Sequence, residues 1–191
     1  MMLAAASATI ESDLRARRLA CPACPSGQLR PWGFARARSV RACGFARLSV
    51  RPRRARCDAC KVTQVVVPSD VIPRRSFTLD ALVEALDAHR LGVSRARVAL
   101  MLGVSVGTTQ RLLGRLKRDT GRLCAAAWRL TQQCDPLASA SSELPTGPFA
   151  DLLDAFGHAL VAVRHRLGPT VDPTRVFGVW VATDILTVAR T

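Results

Sequence analysis

Apolar residues recur at helical spacing through the middle of the chain. In SFTLDALVEALDAHRLG, beginning at Ser76, Leu79, Leu82, Val83 and Leu86 share one face and Asp80, Glu84 and Asp87 the other. That is an amphipathic helix with Ser76 or Thr78 as its cap, and His89 near its end is a favourable partner for the helix dipole. From Ser94 the pattern repeats with Val98, Ala99 and Leu102, and Gly103 then falls where a helix stops. Val104 fills the corner, and Ser105 is a good N-cap for a further helix running to Arg118. In that helix Thr109, Leu112, Leu113 and Leu116 point inward, whereas Val106, Thr108, Gln110, Arg111, Arg115 and Arg118 point outward. Thr109 takes a slot where a branched apolar side chain packs better, which predicts a less firmly held helix. Gly121 is expected to interrupt or end it, with RLCAAAWRLTQQC forming another helical stretch.

The flanks read differently. Residues 1–18 form a tail with a short helix from Ser7 to Arg18. LRPWGFARARSVRACGFARLSVRPRRARC alternates apolar and basic residues, as short antiparallel strands do, and KVTQVVVP is one more strand ending at Pro68. PSDVIPRR is a connector, and DPLASASSELPTG has the composition of a linker. PFADLLDAFGHALVAVRHRLG is a helix, and a second begins at Asp172-Pro173 and runs through TRVFGVWVATDILTVAR. This apolar hairpin is expected to pack on the central helices, with a homodimer interface as the alternative. The fold class expected is α+β: a small N-terminal ribbon of short antiparallel strands, a mostly α-helical domain, and a C-terminal helical hairpin. The divisions are a tail over 1–18, a ribbon module over 19–73, a helical domain over 74–131, a linker over 132–148 and the hairpin over 149–191.

Cysteine spacing adds chemistry to the ribbon. Cys21-Pro-Ala-Cys24, with Gly27 close behind, and Cys57-Asp-Ala-Cys60 are two Cys-x-x-Cys turns, the arrangement that supplies four thiolates to a tetrahedral zinc site. The loop between them exceeds the roughly 15–20 residues common for such sites. A redox pair at Cys21 and Cys24, or four unligated thiols, remain alternatives. A module of about 50 residues has little core, whereas structural zinc supplies about 10–16 kcal/mol of apparent binding energy. Zn2+ is therefore the expected cofactor. Cys43, Cys124 and Cys134 lack a partner at metal spacing and read as buried thiols.

Charge changes the picture further. The formal net charge is +14, and only Lys61 and Lys117 among the basic residues are lysines. The sequence pI near 11.3 predicts attraction to polyanions. The ribbon carries no acidic residue between Arg30 and Arg56, and Arg51, Arg53, Arg54, Arg56, Arg74 and Arg75 are candidate phosphate contacts. Trp32, Phe34 and Phe45 are candidates for base stacking, but in so small a ribbon they are expected to form its core. No window has the roughly 18 apolar residues of a membrane span. Seven cysteines, two pairs at metal spacing and the lack of a secretory leader point to a cytoplasmic, nucleoid-associated protein without a membrane partner.

The helix pair around Gly103 has the spacing of a helix-turn-helix, whose second helix enters the DNA major groove. Together, the CPxC and CxxC pairs, RARCDACKVTQVVVPSDVIPRR and GVSVGTTQRLLGRL resemble actinobacterial zinc-ribbon plus helix-turn-helix proteins related to the N-terminal regions of insertion-sequence transposases. The resemblance spans about Cys21 to Trp128. It implies zinc at Cys21, Cys24, Cys57 and Cys60 and DNA reading by the helix after Ser105. Transposases of that kind also need an RNase H-like catalytic domain, which the remaining helical residues are too few to form. The expected function is a non-enzymatic, double-stranded-DNA-binding protein, a transposase relative or transcriptional regulator. Val106, Thr108, Gln110 and Arg111 would meet base edges, Arg115, Lys117 and Arg118 the backbone, and Ser105 at the helix start belongs to the same DNA-binding set. The alternatives are a zinc-ribbon adaptor binding RNA or protein, and a DNA-binding transposase subunit acting in trans.

Overall fold

The computed structural model describes residues 2–5, 9–68, 71–72, 75–139 and 147–168. It is a mixed α/β chain in which a small strand region near the N-terminus precedes a mostly helical part.

The strand region is a four-stranded sheet. Its strands are β1 (Met2–Ala5), β2 (Leu29–Phe34), β5 (Arg53–Cys57) and β6 (Thr63–Pro68), in the order β1-β6-β5-β2. β6, β5 and β2 pair antiparallel, while β1 lies parallel to β6, with Met2 beside Val65 and Ala5 beside Pro68. Between the inner strands of the sequence, β3 (Arg38–Arg41) and β4 (Arg47–Val50) form a separate two-stranded hairpin.

The expected N-terminal tail is thus part of the sheet region. α1 (Ile10–Arg15) is shorter than the span from Ser7, and it is held for a clear reason. Ile10 and Leu14, one helical turn apart, are buried against Leu29, Ala55, Cys57 and Val66. α1 therefore caps one face of the sheet. On its rim Glu11 accepts from the Arg53 guanidinium at 2.9 Å, tying helix to strand.

The ribbon aromatics are not its core, contrary to the sequence expectation. Trp32, Phe34 and Phe45 are 57%, 50% and 41% exposed. α1 fills the face carrying Leu29, Ala55, Cys57 and Val66 with aliphatic groups, and the three rings stay at the surface. Arginines lie over the rings instead: Arg56 over Trp32 at 4.6 Å, Arg53 and Arg51 over Phe34 at 4.3 and 4.9 Å, and Arg97 over Phe45 at 4.9 Å.

The helical part begins with α2 (Leu79–Arg90), capped by the Thr78 hydroxyl, which accepts from the Ala81 amide. α3 (Arg95–Leu102) is capped likewise by Ser94 and ends at Gly103, whose φ of 64° is left-handed. α4 (Val106–Cys134) opens on Ser105, whose hydroxyl accepts from the Thr108 amide. α5 (Pro148–Leu167) packs along α4 and against α2. Leu82, Leu86, Val98, Leu102, Leu112 and Leu116 form the heart of this core, extended by Leu123, Ala127, Leu152 and Phe156 toward α5.

Two expectations about α4 are corrected. It runs unbroken through Gly121 and reaches Cys134, beyond the expected start of the linker at residue 132. A mid-helix glycine costs about 1 kcal/mol, but Thr120, Leu123, Ala126, Ala127 and Thr131 continue the buried stripe against α5, so the helix persists. Thr109 is not a weak point either. It is fully buried, and its hydroxyl donates to the Ser105 carbonyl at 3.2 Å, so the polar atom is satisfied within the helix. The expected second helix of the C-terminal hairpin, after Asp172, lies outside the described residues, as do the inner linker residues 140–146. Among the described residues no helix is long and apolar enough to cross a membrane.

The β3–β4 hairpin belongs with the helices, although its sequence sits inside the ribbon. The Arg41 amide donates to the Ser76 carbonyl at 2.7 Å, and the Thr78 amide donates to the Arg41 carbonyl at 2.8 Å. At the hairpin's tip, the short 3-10 turn Cys43–Phe45, the Gly44 amide donates to Glu84 of α2 at 3.0 Å.

Candidate metal centre and basic helix surface

The two Cys-x-x-Cys turns meet at one end of the sheet. The first leads into β2, and the second joins β5 to β6, so pairing of β2 with β5 brings Leu29 opposite Cys57. The turns are laced together by backbone bonds: Cys21 amide to Gly27 carbonyl at 2.8 Å, Cys57 amide to Val62 carbonyl at 3.0 Å, and Asp58 amide to Gln28 carbonyl at 3.0 Å. The Asp58 carboxylate returns the last contact by accepting from the Gln28 amide at 2.8 Å.

The result is a cluster of four sulfurs. The Sγ atoms of Cys21, Cys24, Cys57 and Cys60 all lie within 4.8 Å of one another. Cys21 and Cys60 are 3.7 Å apart, and Cys24 and Cys57 3.6 Å. A metal held tetrahedrally by thiolates at about 2.3 Å spaces its sulfurs about 3.8 Å apart, whereas a disulfide needs about 2.05 Å. The four cysteines therefore fit a metal ion and not a pair of disulfides. Gly27 completes the cradle: a Cβ there would stand 2.2 Å from Cys57 Sγ and 2.7 Å from Cys24 Sγ.

Electrostatics divide the thiols. Burial disfavours the Cys57 thiolate, but amide donors at Cys60 and Ala59 and the neighbouring thiols outweigh it and bring its pKa down to about 7. For Cys60 the Val62 amide favours the thiolate, yet burial and the adjoining sulfurs push it up to about 12. A bound cation makes four thiolates tolerable, and its role there would be to cross-link the two turns.

The remaining cysteines stand apart. Cys124 and Cys134 are half-buried, but Cys43 is exposed, against the expectation of a buried thiol. It lies in the hairpin's tip beside Glu84, whose hydrogen bond and charge, with burial, push the thiol up. His158 stands 3.6 Å from Asp154 and packs on Trp128. His89 contacts the Val93 carbonyl at 3.3 Å and meets the edge of Phe149, so neither histidine gathers a metal set.

The predicted helix residues lie together at the start of α4. Val106, Gln110 and Arg111 are exposed, and Thr108 is half-buried, its hydroxyl 2.9 Å from that of Ser105. Arg115, Lys117 and Arg118 are exposed farther along. Among the described residues Arg111, Lys117 and Arg118 have no carboxylate within ion-pair reach.

The ribbon arginines are less uniform than their sequence run suggests. Arg51 and Arg54 are exposed. Arg53 is committed to Glu11 and to the Gly33 carbonyl, with its side chain only 14% exposed. Arg56 lies over Trp32 and donates to the Lys61 carbonyl at 3.2 Å. Arg75 is half-buried beside Arg115, and burial followed by that neighbouring charge lowers its pKa. Arg74 lies outside the described residues.

Two residues given no site role in the sequence reading shape these surfaces. Asp58 locks the cysteine turns together, and its place between the two cysteines of a Cys-x-x-Cys turn was the available signal. Arg41 reaches from the hairpin to the α3–α4 turn, where its Nε would lie 3.1 Å from a Cβ on Gly103. Nothing in the sequence spacing foreshadows that contact. The chain matches no known family model, no characterised protein and no solved structure.

Proposed function

We propose that this chain is a zinc-containing protein that binds double-stranded DNA through a helix-turn-helix formed by α3 and α4. The observation that carries the reading is the start of α4. Its inward residues Leu112, Leu113 and Leu116 are buried, while Gln110 and Arg111 project into solvent and the Arg111 charge meets no carboxylate among the described residues. A left-handed glycine and a serine cap fix the angle at which that turn leaves α3. Residues near the start of such a helix reach base edges in the major groove, and the basic residues beyond them suit phosphate. Six basic side chains against one acidic along α4 favour a polyanionic partner.

Zinc is the metal assigned to the four-cysteine cluster, because a closed tetrahedral all-thiolate set suits it and its role there is structural. In this reading the protein is a regulator or a relative of transposase DNA-binding regions, and it acts by binding. Anisotropy titrations of duplex DNA test it. With about six phosphates contacted, affinity falls about a thousandfold between about 50 and 200 mM salt. Absence of duplex binding in dilute buffer would rule the reading out.

A further inference from the structure

The outer face of the sheet holds a second set of groups that the helix surface does not use. Along β5 the side chains alternate. Ala55 and Cys57 are buried on the face that α1 covers, which leaves Arg54 and Arg56 on the other. Arg30 lies opposite Arg56 in the β2–β5 ladder and shares that outer face. The register slips between Pro31 and Gly33, so Trp32 is the additional residue of a bulge. Gly33, at φ 127°, takes a backbone shape that other residues rarely adopt and turns the strand at that point.

The bulge leaves Trp32 more than half exposed, with the Arg56 guanidinium 4.6 Å from its ring centre. One carboxylate stands near. Asp58 is 3.7 Å from Arg30, but it is already engaged by the Gln28 amide. Arg54 is exposed and has no carboxylate within ion-pair reach among the described residues. An accessible indole thus has the Arg56 guanidinium over it and Arg30 and Arg54 on the same face of the sheet.

We infer that this face, centred on Trp32, binds the unpaired nucleotides of single-stranded nucleic acid. A base stacks on the indole, and Arg54 and Arg56 hold the phosphates on either side. Every base has a π face, so the indole accepts any of them, while guanidinium pairs with phosphate oxygens. Stacking and phosphate pairing read no base edge, so binding is tolerant of sequence. An acidic peptide would satisfy the arginines but leave the indole unused, which favours nucleic acid. The site lies on a different element from α4 and does not depend on duplex recognition.

The test uses the full-length, metal-loaded chain and a labelled oligothymidylate single strand, followed by anisotropy at low salt. Trp32 is a surface residue, so its variants should retain metal and fold. Trp32→Ala is expected to weaken single-strand binding by roughly tenfold or more. Trp32→Phe retains most of the affinity, and duplex affinity stays unchanged in both. Arg54→Ala/Arg56→Ala should weaken single-strand binding and flatten its salt dependence. Three outcomes would each overturn the inference. The first is no binding of the single strand by the unmodified chain. The second is a Trp32→Ala loss that is nil or equal for single strand and duplex. The third is displacement of the oligonucleotide by polyglutamate as readily as by unlabelled strand. Arg111→Ala, which addresses α4, should alter duplex binding alone, so failure of one site is told apart from failure of the other.

Discussion

Gly27 and Cys57 touch across the two cysteine turns so closely that a single added carbon on Gly27 would lie 2.2 Å from the Cys57 sulfur. That sulfur cannot yield, because Cys57 is buried and its amide is bonded to the Val62 carbonyl. Gly27→Ala should therefore open the sulfur cluster. The expected result is loss of stoichiometric metal from the purified protein, measured by elemental analysis, with the helices still seen by circular dichroism. Full metal content in the variant would show that the cradle is looser than the distances imply.

Asp58 should make the joined turns sensitive to acid. The Gln28 amide, opposed by burial and helped by Arg30, holds its carboxyl below the usual range. A depressed carboxylate pKa contributes stability that is complete above the unfolded value of about 3.9 and is lost as pH falls through the folded one. Asp58→Asn should melt at lower temperature than the parent at neutral pH, and the difference should vanish in strong acid. Parallel melting curves at every pH would contradict this role.

Gln64 offers the opposite case. It is fully buried on β6, and among the described residues neither its side-chain oxygen nor its nitrogen has a hydrogen-bond partner. An unsatisfied buried amide costs about 1–3 kcal/mol. Gln64→Met, of similar shape, should raise stability by about 1 kcal/mol in a denaturant titration. Destabilisation instead would mean that the amide is bonded in solution.

The α3–α4 corner should depend on its glycine. Gly103 is left-handed at φ 64°, and a Cβ there would also crowd Arg41 Nε at 3.1 Å. Gly103→Ala is expected to cost about 1–2 kcal/mol and to weaken duplex binding by disturbing the entry to α4. Unchanged stability would mean that the turn accepts a side chain without strain.

The helices were legible because their stripes are local. Leu82, Leu86, Val98, Leu102, Leu112 and Leu116 are buried as their spacing requires. Thr78, Ser94 and Ser105 cap where hydroxyl residues precede such stripes. The cysteine cluster was legible for a similar reason, since paired turns announce four ligands even when the loop between them is long. What the spacing hid depends on contacts between distant segments. β1 was read as tail because its pairing partner, β6, lies at the far end of the sheet region. The β3–β4 hairpin was assigned to the ribbon, yet its backbone bonds to Ser76 and Thr78. Trp32, Phe34 and Phe45 were placed inside because aromatics are usually buried. The face that α1 covers is taken by Ile10 and Leu14, and the rings stay at the surface. Gly121 was read as a stop because glycine disfavours helix, and the α5 contacts that carry α4 past it are long-range.

The most direct measurement is selection of bound duplexes from a random pool by the zinc-loaded chain, repeated with Arg111→Ala. Arg111 is exposed at the start of α4, and its guanidinium, 3.4 Å from the Thr108 hydroxyl, has no carboxylate partner among the described residues. A preferred site should emerge, and the variant should lose about 1–3 kcal/mol on it, with relaxed preference at one or two positions. Failure to retain any duplex in dilute buffer, or identical selections from both proteins, would contradict the assignment of α4 as the element that reads DNA.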